Sequence, residues 1–285
     1  MAHRMGRAPT SVVTGGAGFV GRFIVERLLS CGHDVRVAGR RSPPEGFFSR
    51  PVEFVHARLG EMEGFGEALA DADCLVHAAF DHVAGRYRGG EGNDPDGFRR
   101  RNLDGTIALF EAARRAGVAR AVFLSSRAVY GSTWPPGALL NELATPRPDT
   151  LYGKLKLESE RALEGLSEGN GFCGASLRLT GIYGPAGKEA ANKWDPLFRD
   201  YLAGREVPVR AGTEVHGEDA ADAVLLMLES PADAVRGRVF NVSDVTVDTR
   251  DILEIVREAT GARHELPHAS DKAAVNAMAT SRIEA

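Results

Sequence analysis

The feature that most constrains the fold is an alternation of short apolar runs with longer segments whose apolar residues recur at helical spacing. The strand-like runs are SVVTGG, HDVRVAGR, PVEFVHARL, DCLVHAAF, RAVFLSS and GASLRLTGIYG. The helical segments are FIVERLLSCG, FGEALADA, NLDGTIALFEAARRAGV and LYGKLKLESERALEGL. Such alternation predicts an α/β fold in which helices cover both faces of a doubly wound parallel sheet.

Composition narrows the class of protein. The chain has 285 residues and a formal net charge of -4, so neither nucleic acid nor an anionic membrane is expected as its main partner. The chain has no apolar run near the roughly 20 residues that span a bilayer, and no secretory signal. Cys31, Cys74 and Cys173 lie far apart, which predicts reduced thiols in the core of a cytoplasmic protein, and no spacing suggests a metal site.

The first strand-like run leads into TGGAGFVGR, in which Gly15, Gly18 and Gly21 stand three residues apart. The first glycine of such a set allows a tight turn and the second lets the backbone approach a pyrophosphate. The third lets the following helix pack closely on the strand. A strand before these glycines and a helix after them predict a dinucleotide site at the N-terminus of that helix.

A tyrosine and a lysine one helical turn apart form the second motif. Tyr152 and Lys156 lie in TLYGKLKLESE, and either they decorate a surface or they transfer protons. A phenol is a poor base at neutral pH, but a lysine ammonium on the same helix face lowers its pKa. The cationic ring of an oxidised nicotinamide would lower it further.

Taken together, the motifs resemble those of the extended short-chain dehydrogenases/reductases, also called the NAD-dependent epimerase/dehydratase family. The resemblance rests on TGGAGFVG, SSRAVYG, the Tyr152/Lys156 pair and LRLTGIYGP in this order, over about residues 10–245. It implies a Rossmann-like dinucleotide-binding domain of residues 1–180 and a smaller substrate lobe of residues 181–285. Residues of about 213–243 are expected to return to the first domain.

The resemblance also implies site residues. The catalytic residues would be Ser126, Tyr152 and Lys156: Tyr152 as acid or base, Lys156 also on the nicotinamide ribose, and Ser126 on the reacting oxygen, with Ser125 as the neighbour that could be confused with it. The expected cofactor contacts are Gly15, Gly18, Phe19, Val20, Arg40, Arg41, Leu59, Ala78, Ala79, Tyr152 and Lys156. The expected substrate contacts are Phe80, Ser126, Arg127 and Gly181.

The cofactor depends on the end of the second strand. Relatives that use NAD have an acidic residue there, whereas this chain has Gly39, Arg40 and Arg41. On sequence grounds no carboxylate is available to bind a ribose hydroxyl or repel a 2′-phosphate, and two guanidiniums can bind that phosphate. NADP is therefore favoured over NAD, unless both arginines are merely solvated. Arg58 replaces an expected aspartate near the adenine.

Three departures concern the substrate. Gly181 stands where nucleotide-sugar enzymes often have Asn, and Gly212 stands where they have a diphosphate-binding arginine. Arg210 and Arg205 are the candidates to substitute for that arginine, although neither is at the expected spacing. Arg127 replaces the acidic residue of dehydratases. The Gly- and Arg-rich loop of residues 81–101 is either an anion-binding lid or a solvated loop.

We therefore expect an NAD(P)-dependent oxidoreductase that acts on a hydroxyl or carbonyl carbon of a small polar or sugar-like substrate. One alternative is a nucleotide-sugar epimerase. An alternative of another class is a non-catalytic NADP-sensing protein, although such relatives usually lack the Tyr152/Lys156 pair. Two amphipathic helices, NLDGTIALFEAARRAGV and LYGKLKLESERALEGL, either form a homodimer interface or pack on the sheet.

Overall fold

The computed structural model describes residues 7–61, 63–81, 89–169, 171–187 and 192–285. Its strands are β1 Thr10–Thr14, β2 Asp34–Gly39, β3 Glu53–His56, β4 Cys74–His77, β5 Arg120–Ser126, β6 Cys173–Leu179, β7 Gly181–Tyr183, β8 Ala211–His216, β9 Arg238–Val242 and β10 Val245–Asp248. Its α-helices are α1 Phe19–Ser30, α2 Phe65–Leu69, α3 Pro95–Arg99, α4 Gly105–Arg115, α5 Leu151–Leu166, α6 Asp195–Leu202, α7 Gly217–Glu229, α8 Ala232–Val235, α9 Thr249–Thr260 and α10 Ser281–Glu284. A π-helical turn spans Arg100–Asp104, and 3₁₀ turns span Arg127–Tyr130 and Lys272–Ala274.

Seven strands form a parallel sheet in the order β3-β2-β1-β4-β5-β6-β9. Neighbouring residues of β1 face opposite layers: Val13 packs in the core with α1 and α7, and Val12 packs in the core with α2 and α4. The predicted doubly wound, Rossmann-like sheet is confirmed. The order reverses at β1 and β4, and the carboxyl ends of these strands mark the crevice where such sheets bind ligands.

The last predicted strand, GASLRLTGIYG, is in fact two strands in two sheets. β6 ends at Leu179, and the Thr180 backbone N–H then donates to the Val242 carbonyl at 3.2 Å. β7 begins at Gly181 and joins a separate sheet of order β10-β8-β7. A continuous apolar pattern could not show this change of partner. The division into a domain of residues 1–180 and a lobe of residues 181–285 remains a proposal.

The C-terminal segment, residues 275–280, lies along the loop that follows β5. The Leu140 N–H donates to the Ala277 carbonyl at 2.8 Å, and the Ala279 N–H donates back to the Leu140 carbonyl at 2.9 Å. Met278 and Leu140 pack in one small buried cluster. The end of the chain is thus tied to a loop about 140 positions earlier in the sequence.

The cysteines only partly follow the prediction. Cys74 and Cys173 are buried free thiols, but Cys31 is exposed, so the expectation that all three lie in the core was wrong. Cys31 immediately follows α1 and caps its carboxyl end, where the backbone reaches the surface.

Candidate functional site

The turn after β1 has the geometry of a dinucleotide site. Gly15 has φ +71°, and a Cβ there would lie 2.8 Å from the Ala79 nitrogen, so only glycine fits. A Cβ at Gly21 would overlap the Gly15 carbonyl oxygen. α1 begins at Phe19, and the N–H groups of Phe19 and Val20 are among those without acceptors inside the helix. The turn therefore fits a pyrophosphate.

Tyr152 and Lys156 lie in the first two turns of α5, which Thr150 caps by accepting the Gly153 N–H at 3.0 Å. Lys156 is only 3% exposed, and its Nζ donates to the Leu124 carbonyl at 2.6 Å. The same Nζ lies 5.7 Å from the centre of the Tyr152 ring. The two side chains therefore share one buried face of the helix, which is the arrangement that the proton-transfer hypothesis requires.

Aromatic rings enclose the amine of Lys156. Its Nζ lies 4.6 Å from the ring centre of Phe80 and 4.6 Å from that of Phe123. Burial lowers the pKa of Lys156 to about 7, although the Glu160 carboxylate opposes the shift. Phe80 also packs edge-on against Tyr152, with ring centres 4.9 Å apart. Phe80, predicted to contact substrate, thus lies directly beside the predicted acid/base pair.

The structure separates the two neighbouring serines. The Ser125 hydroxyl is buried and donates to Glu160, which also pairs with buried Arg178 at 2.7 Å. Ser126 is the last residue of β5, and its side chain points to the opposite face of the sheet from that of Ser125. The Ser126 hydroxyl oxygen accepts the Ala128 N–H at 3.1 Å. That bond leaves the Ser126 proton available for a reacting oxygen, which favours Ser126 over Ser125 for the predicted role.

Asn102 opens the segment NLDGTIALF, where the sequence allows two roles: an N-cap or, by the family resemblance, support of the active-site strand. The structure shows that it is not an N-cap. It lies within the π-helical turn, where its Oδ1 accepts the Asp81 N–H at 2.7 Å. Its Nδ2 donates to the Asp81 carbonyl at 2.9 Å and to the Phe98 carbonyl at 3.0 Å. One amide side chain thus binds both backbone polar groups of Asp81, which lies just beyond β4. This arrangement matches the alternative role, support of the site.

His77 at the end of β4 is structural in this arrangement. Its Nδ1 and Nε2 hydrogen-bond the hydroxyls of Thr14, at 2.7 Å, and Thr106, at 2.9 Å. Full burial lowers the pKa of His77 to about 3, so the ring is neutral. The bonds join β1, β4 and α4, and they hold the strand that leads into Ala78 and Ala79.

The end of β2 has no carboxylate, but the fold brings one to Arg40 from another strand. Asp81, which follows β4, accepts a hydrogen bond from Arg40 Nη1 at 3.1 Å and another from Arg101 Nε at 2.7 Å. Arg101 also pairs with Asp94 at 3.2 Å. Sequence reasoning missed Asp81 because it considered only the residues that follow β2, whereas β4 ends on the other side of β1.

The remaining predicted cofactor contacts are placed as follows. Arg41 is exposed, and Leu59 is 8% exposed and lies against Gly105. Arg58 is exposed and pairs with Glu61 at 3.1 Å.

Of the loop at residues 81–101, residues 82–88 lie outside the described part of the chain. The described Arg99 and Arg101 are engaged in ion pairs with carboxylates, so neither is simply solvated.

Arg127, predicted to contact substrate, follows Ser126 and is partly buried. Its Nη2 donates to the Asn276 carbonyl of the C-terminal segment at 2.9 Å. Within the described residues its Nε is buried and has no hydrogen-bond partner. Burial also lowers the pKa of Arg127. The C-terminal segment therefore fixes a guanidinium next to the predicted catalytic serine, and sequence reasoning did not foresee this contact.

Gly181 lies two residues beyond Leu179, the register partner of Ser126. A Cβ at Gly181 would overlap both the Glu214 carboxylate and the Lys193 ammonium, which form an ion pair with each other. The Glu214 side chain is 5% exposed and that of Lys193 is 27% exposed. A charged pair thus fills the space that a side chain at position 181 would need.

Arg210 and Arg205 are the two candidates to substitute for the arginine expected at position 212. Arg210 lies two residues earlier, and its Nη2 lies 3.6 Å from the point where a Cβ at Gly212 would stand. Its charge helps to lower the pKa of Lys193, although burial is the larger cause. Arg205 instead pairs with Asp200 on α6 at 2.5 Å. Of the two candidates, Arg210 is the one that lies near Gly212 and interacts electrostatically with Lys193.

These observations agree with the comparison with known families. Residues 11–243 match the model of the NAD dependent epimerase/dehydratase family. The chain belongs to this family. It is therefore an NAD(P)-dependent enzyme of the oxidoreductase/epimerase type, and the alternative of a non-catalytic sensor gains no support from the relatives named below.

Among curated proteins, the chain is similar to UDP-glucose 4-epimerase of Corynebacterium glutamicum, with 30% identity over 279 residues, 90% of this chain and 81% of the relative. It is also similar to the 3 beta-hydroxysteroid dehydrogenase/Delta 5→4-isomerase of Mycobacterium tuberculosis, with 29% identity, 92% of this chain and 74% of the relative. A crystal structure of Thermus thermophilus UDP-glucose 4-epimerase with NAD superimposes with a TM-score of 0.75 at 27% identity and covers 96% of this chain and 92% of that one.

Among the described helices, none has the length and apolarity to cross a membrane.

Proposed function

We propose that the enzyme is an NADP-preferring dehydrogenase or reductase of a small polar or sugar-like substrate, with Tyr152 as the acid/base. The observation that carries the proposal is the shared buried face of Tyr152 and Lys156, with Ser126 at the end of the adjacent strand. When bound, the nicotinamide supplies the hydride acceptor or donor. Gly15, the N-terminus of α1 and Ala79 form the turn that would hold its pyrophosphate.

Each side chain then has a separate task. In the oxidative direction, Tyr152 in its phenoxide form takes the proton of the substrate hydroxyl as hydride leaves the carbon of that hydroxyl. Ser126 donates its proton as a hydrogen bond to the reacting oxygen and holds it in place. The Lys156 ammonium stabilises the phenoxide electrostatically. In the reductive direction Tyr152 returns the proton.

The proposed preference for NADP rests on Arg40 and on the absence of a carboxylate at position 39. A Cβ at Gly39 would lie no closer than 3.8 Å to its nearest neighbour, so the strand end accepts an acidic side chain without strain. The double variant Gly39→Asp/Arg40→Ala is therefore expected to favour NAD, since it adds a ribose-binding carboxylate and removes a guanidinium. Titration of both proteins with NADP and NAD tests this. A wild-type enzyme that binds NAD more tightly contradicts the preference.

The proposed small substrate rests on the pair next to Gly181. A diphosphate at this position would approach the buried Glu214 carboxylate, and it could recruit Lys193 only by breaking the ion pair that neutralises Glu214. Leaving a buried carboxylate unpaired is costly. Hydroxyl groups, in contrast, can donate to Glu214 and accept from Lys193 while the pair stays intact.

Nucleotide-sugar epimerisation is the second candidate, because the relatives at 30% and 27% identity are named UDP-glucose 4-epimerases. The two reactions differ in net redox change. A dehydrogenase changes the absorbance of the nicotinamide in proportion to product, whereas an epimerase returns its hydride and shows no net change. Assays with polyols, aldoses and UDP-sugars, followed by absorbance and by product analysis, decide between them. Conversion of a UDP-sugar without net absorbance change overturns the dehydrogenase proposal.

A homodimer through α4 and α5 remains a further proposal. Both helices carry apolar stripes, and parts of these stripes pack on the sheet and on each other. Sedimentation velocity measurements at several protein concentrations test it.

A further inference from the structure

The ion pair between Arg40 and Asp81 lies across the predicted dinucleotide crevice. Arg40 follows β2, Asp81 lies beyond the end of β4, and β1 runs between these two strands. The guanidinium and the carboxylate, 3.1 Å apart, therefore meet above the carboxyl end of β1, where the Gly15 turn begins. From this placement we infer that Asp81 limits the preference for NADP by competing with its 2′-phosphate for Arg40.

Asp81 is the fixed partner of the pair. Its backbone N–H and carbonyl are both bound by Asn102, and its second carboxylate oxygen accepts from Arg101 at 2.7 Å. The Asp81 side chain is 27% exposed, whereas that of Arg40 is 63% exposed and makes its described ion pair with Asp81. Because these hydrogen bonds from Asn102 and Arg101 hold Asp81 in place, Arg40 is the residue that changes its partner.

The two cofactors make different demands on this pair. NAD presents an uncharged 2′-hydroxyl, so Arg40 keeps its bond to Asp81 when NAD binds. NADP presents a phosphate monoester with a charge of about −1.5 to −2 at neutral pH, which forms stronger hydrogen bonds with a guanidinium. Binding of NADP therefore moves Arg40 from the carboxylate to the phosphate, and Asp81 weakens this binding while it leaves NAD binding unchanged.

This inference rests on the proposed contact between Arg40 and the 2′-phosphate. It adds that Asp81, which lies beyond β4 and not at the end of β2 where cofactor choice is usually determined, limits the preference for NADP. Exposed ion pairs are weak. We therefore expect a change of about 3- to 5-fold in NADP affinity when Asp81 loses its charge.

The experiment measures the dissociation constants of NADP and NAD for the full-length enzyme and four variants. Asp81→Asn removes the competing charge but keeps an oxygen that can accept from Arg101. Arg40→Ala removes the shared partner, and the double variant combines both changes. Asp94→Asn is the matched control, because Asp94 pairs with Arg101 in the same region but has no bond to Arg40.

Asp81→Asn should bind NADP about 3- to 5-fold more tightly, with NAD affinity within a factor of two of wild type. The gain should vanish in the Arg40→Ala background and be absent from Asp94→Asn. The unchanged NAD affinity serves as the control for folding, since a purely structural loss would weaken both cofactors.

Two failures can be told apart. If Arg40→Ala leaves the ratio of NADP to NAD affinity unchanged, the proposed preference falls, and this inference falls with it. If Arg40→Ala lowers the ratio but Asp81→Asn does not raise it, only the inference is overturned. A gain that persists in the double variant also overturns it, because Asp81 would then act on the phosphate directly.

Discussion

Lys156 is an amine enclosed by two aromatic rings and a backbone carbonyl, and this enclosure should make the stability of the fold depend on pH. Its pKa is about 7 in the folded chain and has the ordinary value of 10.5 when unfolded. Between these values the unfolded chain binds more protons, so the free energy of unfolding rises with pH from about 7 towards 10.5. Relative to Lys156→Met, wild type should gain about 2 kcal/mol between pH 7 and 9.

Urea unfolding of both proteins at pH 7, 8 and 9 measures this difference. Met has a similar length and no charge, so it keeps the packing against Phe80 and Phe123. Parallel stability curves for the two proteins would show that Lys156 is not the group that titrates.

Tyr152→Phe should remove one hydroxyl from the site and keep the ring that packs on Phe80. We expect turnover to fall by about 100- to 10,000-fold, with cofactor affinity nearly unchanged, because general acid–base catalysis contributes on this scale. Tyr201→Phe is the control, because Tyr201 lies on α6 and not on α5. Its hydroxyl donates to the His264 carbonyl at 3.0 Å, so this variant also loses one hydroxyl and one hydrogen bond. Turnover of Tyr152→Phe within a few-fold of wild type would exclude Tyr152 as the acid/base.

At the scale of elements, the π-helical turn before α4 presents Asn102 to the strand end beyond β4. Asn102→Ala removes three hydrogen bonds and leaves partly buried backbone groups of Asp81 without their partner. The free energy of unfolding should fall by about 1–3 kcal/mol. Asn141→Ala, in an exposed loop, should change it by less than about 0.5 kcal/mol. If thermal or urea unfolding shows the same decrease in the free energy of unfolding for both variants, the bonds from Asn102 to Asp81 do not contribute the expected stability.

Elements that depend on local pattern could be predicted from the sequence. The strand–glycine–helix unit of β1 and α1 follows from residues that adjoin one another, and the structure has it at the expected place. The change of sheet at Thr180 could not be predicted, because the apolar pattern continues through it. Asp81 near Arg40 could not be predicted either, since only the order β2-β1-β4 brings these strand ends together.

The same limit applies to the substrate side of the candidate site. Gly181 departs visibly from the family pattern, but the sequence does not show that Glu214 and Lys193 fill the space beside it. Nor does it show that Asn276, 149 positions later, binds Arg127. Such contacts depend on how distant segments return to one edge of the sheet.

At the scale of the whole molecule, the C-terminal segment stabilises the loop after β5 through the Leu140 cluster. Leu140 is 1% exposed and its neighbour Leu139 is 68% exposed, which offers a matched pair of variants. Leu140→Ala should lower the free energy of unfolding by about 2–5 kcal/mol, because it opens a cavity against Met278. Leu139→Ala should change it by less than about 0.5 kcal/mol. Similar values for both in urea unfolding would mean that the segment is not packed as described.

The place of β9 at the edge of the main sheet has a consequence for biosynthesis. β6 ends at Leu179, but β9, which pairs with it, begins only at Arg238. A ribosome that adds about 5–20 residues per second needs roughly 3–12 seconds to make the intervening stretch. During this interval the edge of β6 that β9 will cover has no partner strand, and its N–H and C=O groups can pair with another polypeptide. Chaperone dependence and aggregation during expression should therefore be greatest for nascent chains that end between these two strands.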